Sequence, residues 1–218
     1  VFGTKMRSVI YEANEEGIRD IVNQQFEFAK IICDGGLVPI IEPEVDIHSE
    51  QKEFCEKILK DEIIRKLKEW NPADKIMFKF TIPTVANHYL DLYDYDCVVR
   101  IVALSGGYEI DEACELLAKN NRMIASFSRA LLQDLNAHQT QEEFDTALNN
   151  AIVKIYNAKT KTEELVSILE VKDATVEDIN TLVNEINKEI EDETSNPGNG
   201  DNGSNDENQG GNNSNGGN

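Results

Sequence analysis

The sequence has 218 residues, 21 of them basic and 41 acidic, for a formal net charge of −20. That surplus excludes an electrostatic nucleic-acid binder and disfavours an anionic membrane surface, because both attract Lys and Arg and repel carboxylates. No apolar run reaches the ~18 residues a bilayer-spanning helix needs.

The opening VFGTKMRSVI has neither an initiator Met nor the apolar core of a signal peptide, and reads as the middle of a longer protein. A strand is expected to begin at Phe2–Lys5. Gly17–Cys33 then places Ile18, Ile21, Val22, Phe26, Ala29 and Ile32 at helical spacing, with Gly35-Gly36 as a stop. Leu37–Ile41 is a continuous apolar run of strand length. A helix is predicted from about Ser49, as cap, to Trp70, broken by Asn71-Pro72. Ile76–Phe80 is the third strand, followed by a Pro-containing loop and a short helical piece near Tyr89–Tyr93. Val98–Leu104 (VVRIVAL) is the fourth strand, Ile110–Lys119 a helix, and Met123–Phe127 the fifth strand. Thr140 and Glu143 form a Thr-x-x-Glu capping box that opens a helix to about Ala158.

Beyond that point composition changes. Residues 159–218 carry 4 basic and 14 acidic residues, half of the net charge. Two amphipathic pieces, near Glu163–Glu170 and Thr175–Glu193, make 159–193 an acidic helical extension. Residues 194–218 hold nine Asn and seven Gly in 25 positions, a composition that cannot bury enough surface to offset chain entropy, so a disordered tail is expected.

Five Val/Ile-rich strands alternating with helices in 1–158 predict a parallel α/β sheet. Two architectures fit: a doubly wound open sheet, or part of a (β/α)8 TIM barrel. A nucleotide-binding open sheet would usually show Gly-x-Gly-x-x-Gly or a P-loop after its first strand, and neither is present. A barrel has eight units, so that reading makes this chain an N-terminally truncated barrel of about five.

Polar residues gather at the C-terminal ends of the strands, where barrel enzymes build their sites. Lys5 and Arg7 end the first strand, two apart and so on one face. Glu42 and Glu44 end the second. Lys79 interrupts the apolar run Ile-Met-Phe-Lys-Phe. The fourth strand ends in Ser105-Gly106-Gly107 and the fifth runs into Ser128 and Arg129. A lysine in an apolar strand is costly to desolvate unless it snorkels out. Desolvation beside other cations favours a neutral amine that can attack a carbonyl and form a Schiff base. Glu42 and Glu44 are then candidates to move the protons this chemistry requires, although Glu44 also fits a solvated rim position. The Ser-Gly-Gly turn offers backbone N–H groups to a phosphate, with Arg129 to hold its charge. Cys33, Cys55, Cys97 and Cys114 show no Cys-x-x-Cys spacing and read as buried reduced thiols. His48, His88 and His138 are isolated, so no metal site is expected.

The segments FGTKMRSVI, GLVPIIEPEVDI, IMFKFTIPT, VVRIVALSGGY and ASFSRALLQDL, in that order, resemble the class I fructose-1,6-bisphosphate aldolases in their shorter bacterial form. TQEEFDTALNNAIVKIYNA resembles that family's last barrel helix, so the likeness covers essentially all of 1–158 and none of 159–218. It implies a cytoplasmic, metal-independent carbon–carbon lyase of glycolysis and gluconeogenesis. This enzyme cleaves fructose 1,6-bisphosphate into dihydroxyacetone phosphate and glyceraldehyde 3-phosphate. The implied catalytic residues are Lys79 as the Schiff-base lysine, Glu42 as its proton donor and acceptor, Glu44 as its neighbour, and Lys5 as a cation that favours imine formation. Arg7 would lie near the distal phosphate. Ser105, Gly106, Gly107 and Arg129 would hold the ketone-side phosphate. The implied partner is a sugar-phosphate substrate, with no cofactor, nucleic acid or membrane, and with room for a homo-oligomer in the full-length enzyme.

The family also uses an Asp on its first barrel strand and a Lys on its third, and neither strand is among these five. The chain taken alone is therefore expected to be inactive and prone to aggregate, with two unpaired sheet edges. Two other readings are open: another Schiff-base barrel, transaldolase-like or a deoxyribose-phosphate aldolase, or a non-catalytic half-barrel interaction protein.

Overall fold

The boundaries of the first helix follow from local chemistry. Asn14 caps the first helix, its side chain accepting a hydrogen bond from Gly17 N at 2.8 Å, while Glu15 and Glu16 in the first turn face the positive end of the helix dipole. Gly36, at φ 76°, turns the chain out of that helix into the next strand. The computed structural model describes residues 1–169, all within the first of the chain's two units, Val1–Val171. The expected helix at Thr175–Glu193 and the expected disordered tail lie outside the described residues.

The strands are β1 (Gly3–Ile10), β2 (Val38–Val45), β3 (Ile76–Thr81), β4 (Val98–Leu104) and β5 (Met123–Ala125); the helices are α1 (Glu15–Asp34), α2 (Lys52–Leu67), α3 (Ile110–Leu117) and α4 (Gln141–Leu169). Short 3₁₀ turns cover Leu90–Asp94 and Ala130–Leu132. All adjacent strands pair in parallel, in the spatial order β1-β2-β3-β4-β5. That order decides between the two expected architectures. A doubly wound sheet reverses direction at a switch point, whereas each strand here adds to the same side of its predecessor, as in a barrel. The fold is a partial TIM barrel. Among the described residues β1 and β5 each have one strand neighbour.

Four boundaries depart from the sequence expectations. β1 does not end with Lys5 and Arg7, nor β2 with the apolar run to Ile41: they run on to Ile10 and Val45, paired residue by residue along their whole length. Backbone pairing with a neighbour therefore carries the charged residues inside the strands rather than beyond them. Ser49 does not cap α2: the helix begins at Lys52 behind Gln51, which makes no side-chain cap, and Ser49 Oγ donates to Tyr11 O at 2.8 Å instead. The capping box at Thr140 forms, with Thr140 N donating to Glu143 Oε2 and Glu143 N to Thr140 Oγ1, but α4 continues past Ala158 to Leu169.

One face of the sheet is covered by helices. Ile18, Val22 and Phe26 of α1 and Cys55, Leu59 and Ile63 of α2 are buried in one cluster with Ile41, Ile76, Phe78 and Phe80 of the sheet. Burying each such large side chain contributes about 1.5–3 kcal/mol. Aromatic rings tie the layers together: Phe80 stacks on Tyr89 at 3.9 Å and Trp70 meets Phe26 edge-on at 5.3 Å. Burial pushes the Tyr89 hydroxyl's pKa well up. Cys55, Cys97 and Cys114 are buried free thiols, while Cys33 is only half-buried. No described helix is long and apolar enough to cross a membrane.

Candidate active site

Strand register puts the charged residues on one face. β1 and β2 pair Arg7 with Glu42 and Val9 with Glu44, and β3 and β4 pair Lys79 with Val102. Between β2 and β3, Ile40 pairs with Met77 and Ile41 with Phe78; the ladder ends there, and Glu42 and Lys79 are the next residue on each strand. Side chains alternate along a strand, so Lys5, Arg7, Glu42, Glu44 and Lys79 all lie on the face away from α1 and α2. The opposite parity is occupied by Ser8, which receives a hydrogen bond from Gln25 of α1 at 2.8 Å, and by the buried Ile41, Phe78 and Ile101.

Five of the expected site residues meet here. Glu42, with a side chain 4 % exposed, holds two lysines: Oε2 accepts from Lys5 Nζ, and Oε1 lies 3.3 Å from Lys79 Nζ. One carboxylate thus bridges the first and third strands from the second. Two residues further on, Arg7 Nε donates to Glu44 Oε2 at 2.7 Å. This contact raises the Arg7 pKa and keeps the guanidinium charged. Glu44 is not the solvated rim residue its position allowed; it is buried, because β2 extends to Val45 and brings it under Arg7. Lys79 is 14 % exposed, and Glu42 is its one ion-pair partner among the described residues. A lysine with one partner and a carboxylate at proton-transfer range retains the freedom a nucleophile needs.

The glycine turn sits at the same end of the sheet. Ser105 is buried immediately after β4, and Tyr108 N donates to Ser105 O at 2.9 Å to close the turn. Gly106 and Gly107 have φ of 66° and 119°. A Cβ on Gly106 would stand 2.7 Å from Ile47 Cγ2, so both conformation and space demand glycine. Arg129 reaches this turn from beyond β5: its Nη1 lies 3.9 Å from where a Cβ on Gly107 would be. Ser105, Gly106, Gly107 and Arg129 therefore form a second group, with Arg129 and Gly107 open to solvent. Ser128 is exposed beside it.

Two features were not anticipated from sequence. Thr81, two residues past Lys79, is buried; its hydroxyl donates to Val45 O at 2.6 Å and accepts from Val45 N at 3.0 Å. Lys52 and Glu56 of α2 form a buried ion pair in which Lys52 Nζ also donates to Ile82 O at 2.9 Å and Thr84 Oγ1 at 3.1 Å. The second Glu56 oxygen accepts from Thr84 N at 3.0 Å. In sequence this pair looks like any i,i+4 surface pair. Among the described residues no group of three or more His, Cys, Asp or Glu is placed to hold a metal ion.

The fold and the charged face together define a partial barrel with a polar cluster at the C-terminal ends of its strands. No family model matches the chain. Among solved structures, the fold is similar to fructose-bisphosphate aldolase from Plasmodium falciparum, determined in complex with TRAP and a small-molecule inhibitor, with a TM-score of 0.58 and 21% identity. The match covers 74% of this chain and 58% of that one, so this chain spans little more than half the length of that neighbour.

Proposed function

We propose that these strands carry the imine-forming site of a class I fructose-bisphosphate aldolase. Lys79 Nζ would attack the C2 carbonyl of the ketone phosphate to give a carbinolamine. Glu42 would take the proton that Nζ loses on attack and return it to the carbinolamine hydroxyl, which leaves as water. As a base takes the C4 hydroxyl proton, the role the resemblance gives to an Asp outside these five strands, the C3–C4 bond of fructose 1,6-bisphosphate breaks and its electron pair passes to the iminium, giving glyceraldehyde 3-phosphate and enamine-bound dihydroxyacetone phosphate. Lys5, on the other oxygen of Glu42, holds that carboxylate toward the nucleophile. The Ser105–Gly107 turn and Arg129 would receive the ketone-side phosphate and Arg7 the distal one. The Asp and Lys that the family resemblance adds belong to strands other than these five, so the activity is proposed for the whole protein.

The observation that carries this reading is the 3.3 Å contact between Lys79 Nζ and the buried Glu42 on a face the helices leave uncovered. A cytoplasmic setting and a sugar-phosphate substrate follow from the same reading. Borohydride reduction with dihydroxyacetone phosphate in the whole protein should leave a stable adduct on Lys79. Lys79→Ala should form none, and EDTA should not prevent trapping. An adduct that survives Lys79→Ala would overturn the assignment. A second reading, a Schiff-base aldolase for a single-phosphate substrate, has one observation in its favour: Arg7 Nε is already engaged by Glu44. Equal cleavage of substrates with and without the distal phosphate would favour it.

A further inference from the structure

The pairing between β2 and β3 is short where the proposed chemistry is. Its register covers Ile40 with Met77 and Ile41 with Phe78, and stops one residue before Glu42 and Lys79. The flanking ladders are longer: β1 and β2 stay paired to Ile10 and Val45, and β3 and β4 to Thr81 and Leu104. The seam between the carboxylate strand and the lysine strand is therefore open at its functional end. A buried, unpaired Val45 N–H and C=O there would cost free energy, and Thr81 satisfies both with one hydroxyl, at 3.0 and 2.6 Å. Its methyl, Cγ2, packs 3.6 Å from the position a Cβ on Gly106 would take. One residue thus touches the end of β2, ends β3, and abuts the glycine turn after β4.

We infer that Thr81 is a positioning residue whose hydroxyl replaces the missing ladder and holds Glu42 at proton-transfer distance from Lys79. This deepens the aldolase reading and rests on it for its catalytic consequence. In a parallel sheet the gap left by a lost ladder hydrogen bond lets the two strands separate, and proton transfer is sensitive to such separation. Thr81→Val keeps the shape and the methyl and removes only the bridging oxygen. Thr81→Ser keeps the oxygen and removes the methyl.

The test is the rate of borohydride trapping with dihydroxyacetone phosphate in the full-length protein, read together with the melting temperature. Thr81→Val is expected to slow trapping at saturating ketone about 10- to 100-fold, with the half-saturating ketone concentration little changed. Thr81→Ser is expected to trap at nearly the wild-type rate. A merely structural threonine would lower the melting temperature and leave trapping per folded molecule unchanged; that result, or a Thr81→Ser variant as slow as Thr81→Val, overturns the inference. If Thr81→Val does not melt cooperatively, Thr81→Cys takes its place, its weakly bonding thiol giving an intermediate rate, and a wild-type rate overturns the proposal. Hydrogen exchange at the Val45 amide, measured without ketone, separates the brace from the chemistry: exchange should quicken in Thr81→Val and stay slow in Thr81→Ser. A protected Val45 amide in Thr81→Val overturns the brace itself. A wild-type protein that shows this exchange pattern but forms no adduct overturns the aldolase reading and the catalytic consequence drawn from it, while supporting the brace.

Discussion

Among the described residues, a buried lysine–glutamate pair and a partly buried one are held in different ways. Lys52 and Glu56, on the helix-covered side, have side chains 9 % and 1 % exposed. All three ammonium hydrogens of Lys52 have acceptors, in Glu56, Ile82 O and Thr84 Oγ1, and both Glu56 oxygens are engaged. Lys79 is scarcely more exposed but, among the described residues, has only Glu42 as ion-pair partner, at a longer distance, and Glu42 shares its charge with Lys5. The first pair is saturated and fastens α2 to the segment that leaves β3. The second has donor capacity left over. Burial of a charge is common to both; unspent hydrogen-bonding capacity beside a proton acceptor is what the proposed nucleophile has and the saturated pair lacks.

Substitutions at the two lysines should separate these roles. The largest effect is expected from Lys79→Met in the whole protein: adduct formation falls to background while thermal stability changes little, since Glu42 keeps Lys5 as partner. Loss of cooperative melting in that variant would make Lys79 a structural residue like Lys52. Glu42→Gln should slow imine trapping by about 10²–10⁴-fold, because the amide keeps the shape but cannot carry a proton; a rate near wild type would remove Glu42 from the chemistry. Lys52→Met strands a nearly fully buried Glu56 and should cost about 3–5 kcal/mol in urea unfolding, with Lys79 still trapped in whatever fraction folds. Combining it with Glu56→Leu should recover much of that loss. The smallest effect is expected at the glycine turn after β4. Gly106→Ala forces a Cβ against Ile47 at φ 66° and should cost about 1–3 kcal/mol, together with a higher half-saturating ketone concentration.

Much of the fold was legible because parallel strands and amphipathic helices advertise their periods. VVRIVAL is β4 with the boundaries its composition suggests, and the Thr140–Glu143 box forms as written. Strand ends were less legible. Lys, Arg, Glu and Pro in TKMRSV and IEPEV look like the ends of strands, yet β1 and β2 run through them because each supplies the other's backbone partners. The α4 boundary failed for a related reason: the composition change after Ala158 is a change of charge, and nothing in residues 159–169 breaks a helix. Of the candidate site, the residue types and their strand ends could be read from the chain, and so could the glycine turn. The sharing of Glu42 between two lysines, and the approach of Arg129 to Gly107, depend on distances between strands and could not.

By itself, then, the sequence determined which polar residues share a face of the sheet, because side chains set two apart on a strand point the same way, and which segments alternate as strand and helix. Only the tertiary structure decided the strand order that makes this a partial barrel rather than a doubly wound sheet. It alone distinguished the saturated lysine from the unsaturated one. It also showed that a threonine closes the seam where the ladder stops. Those outcomes rest on contacts between residues roughly 30 to 40 positions apart, and local pattern carries no record of such distances.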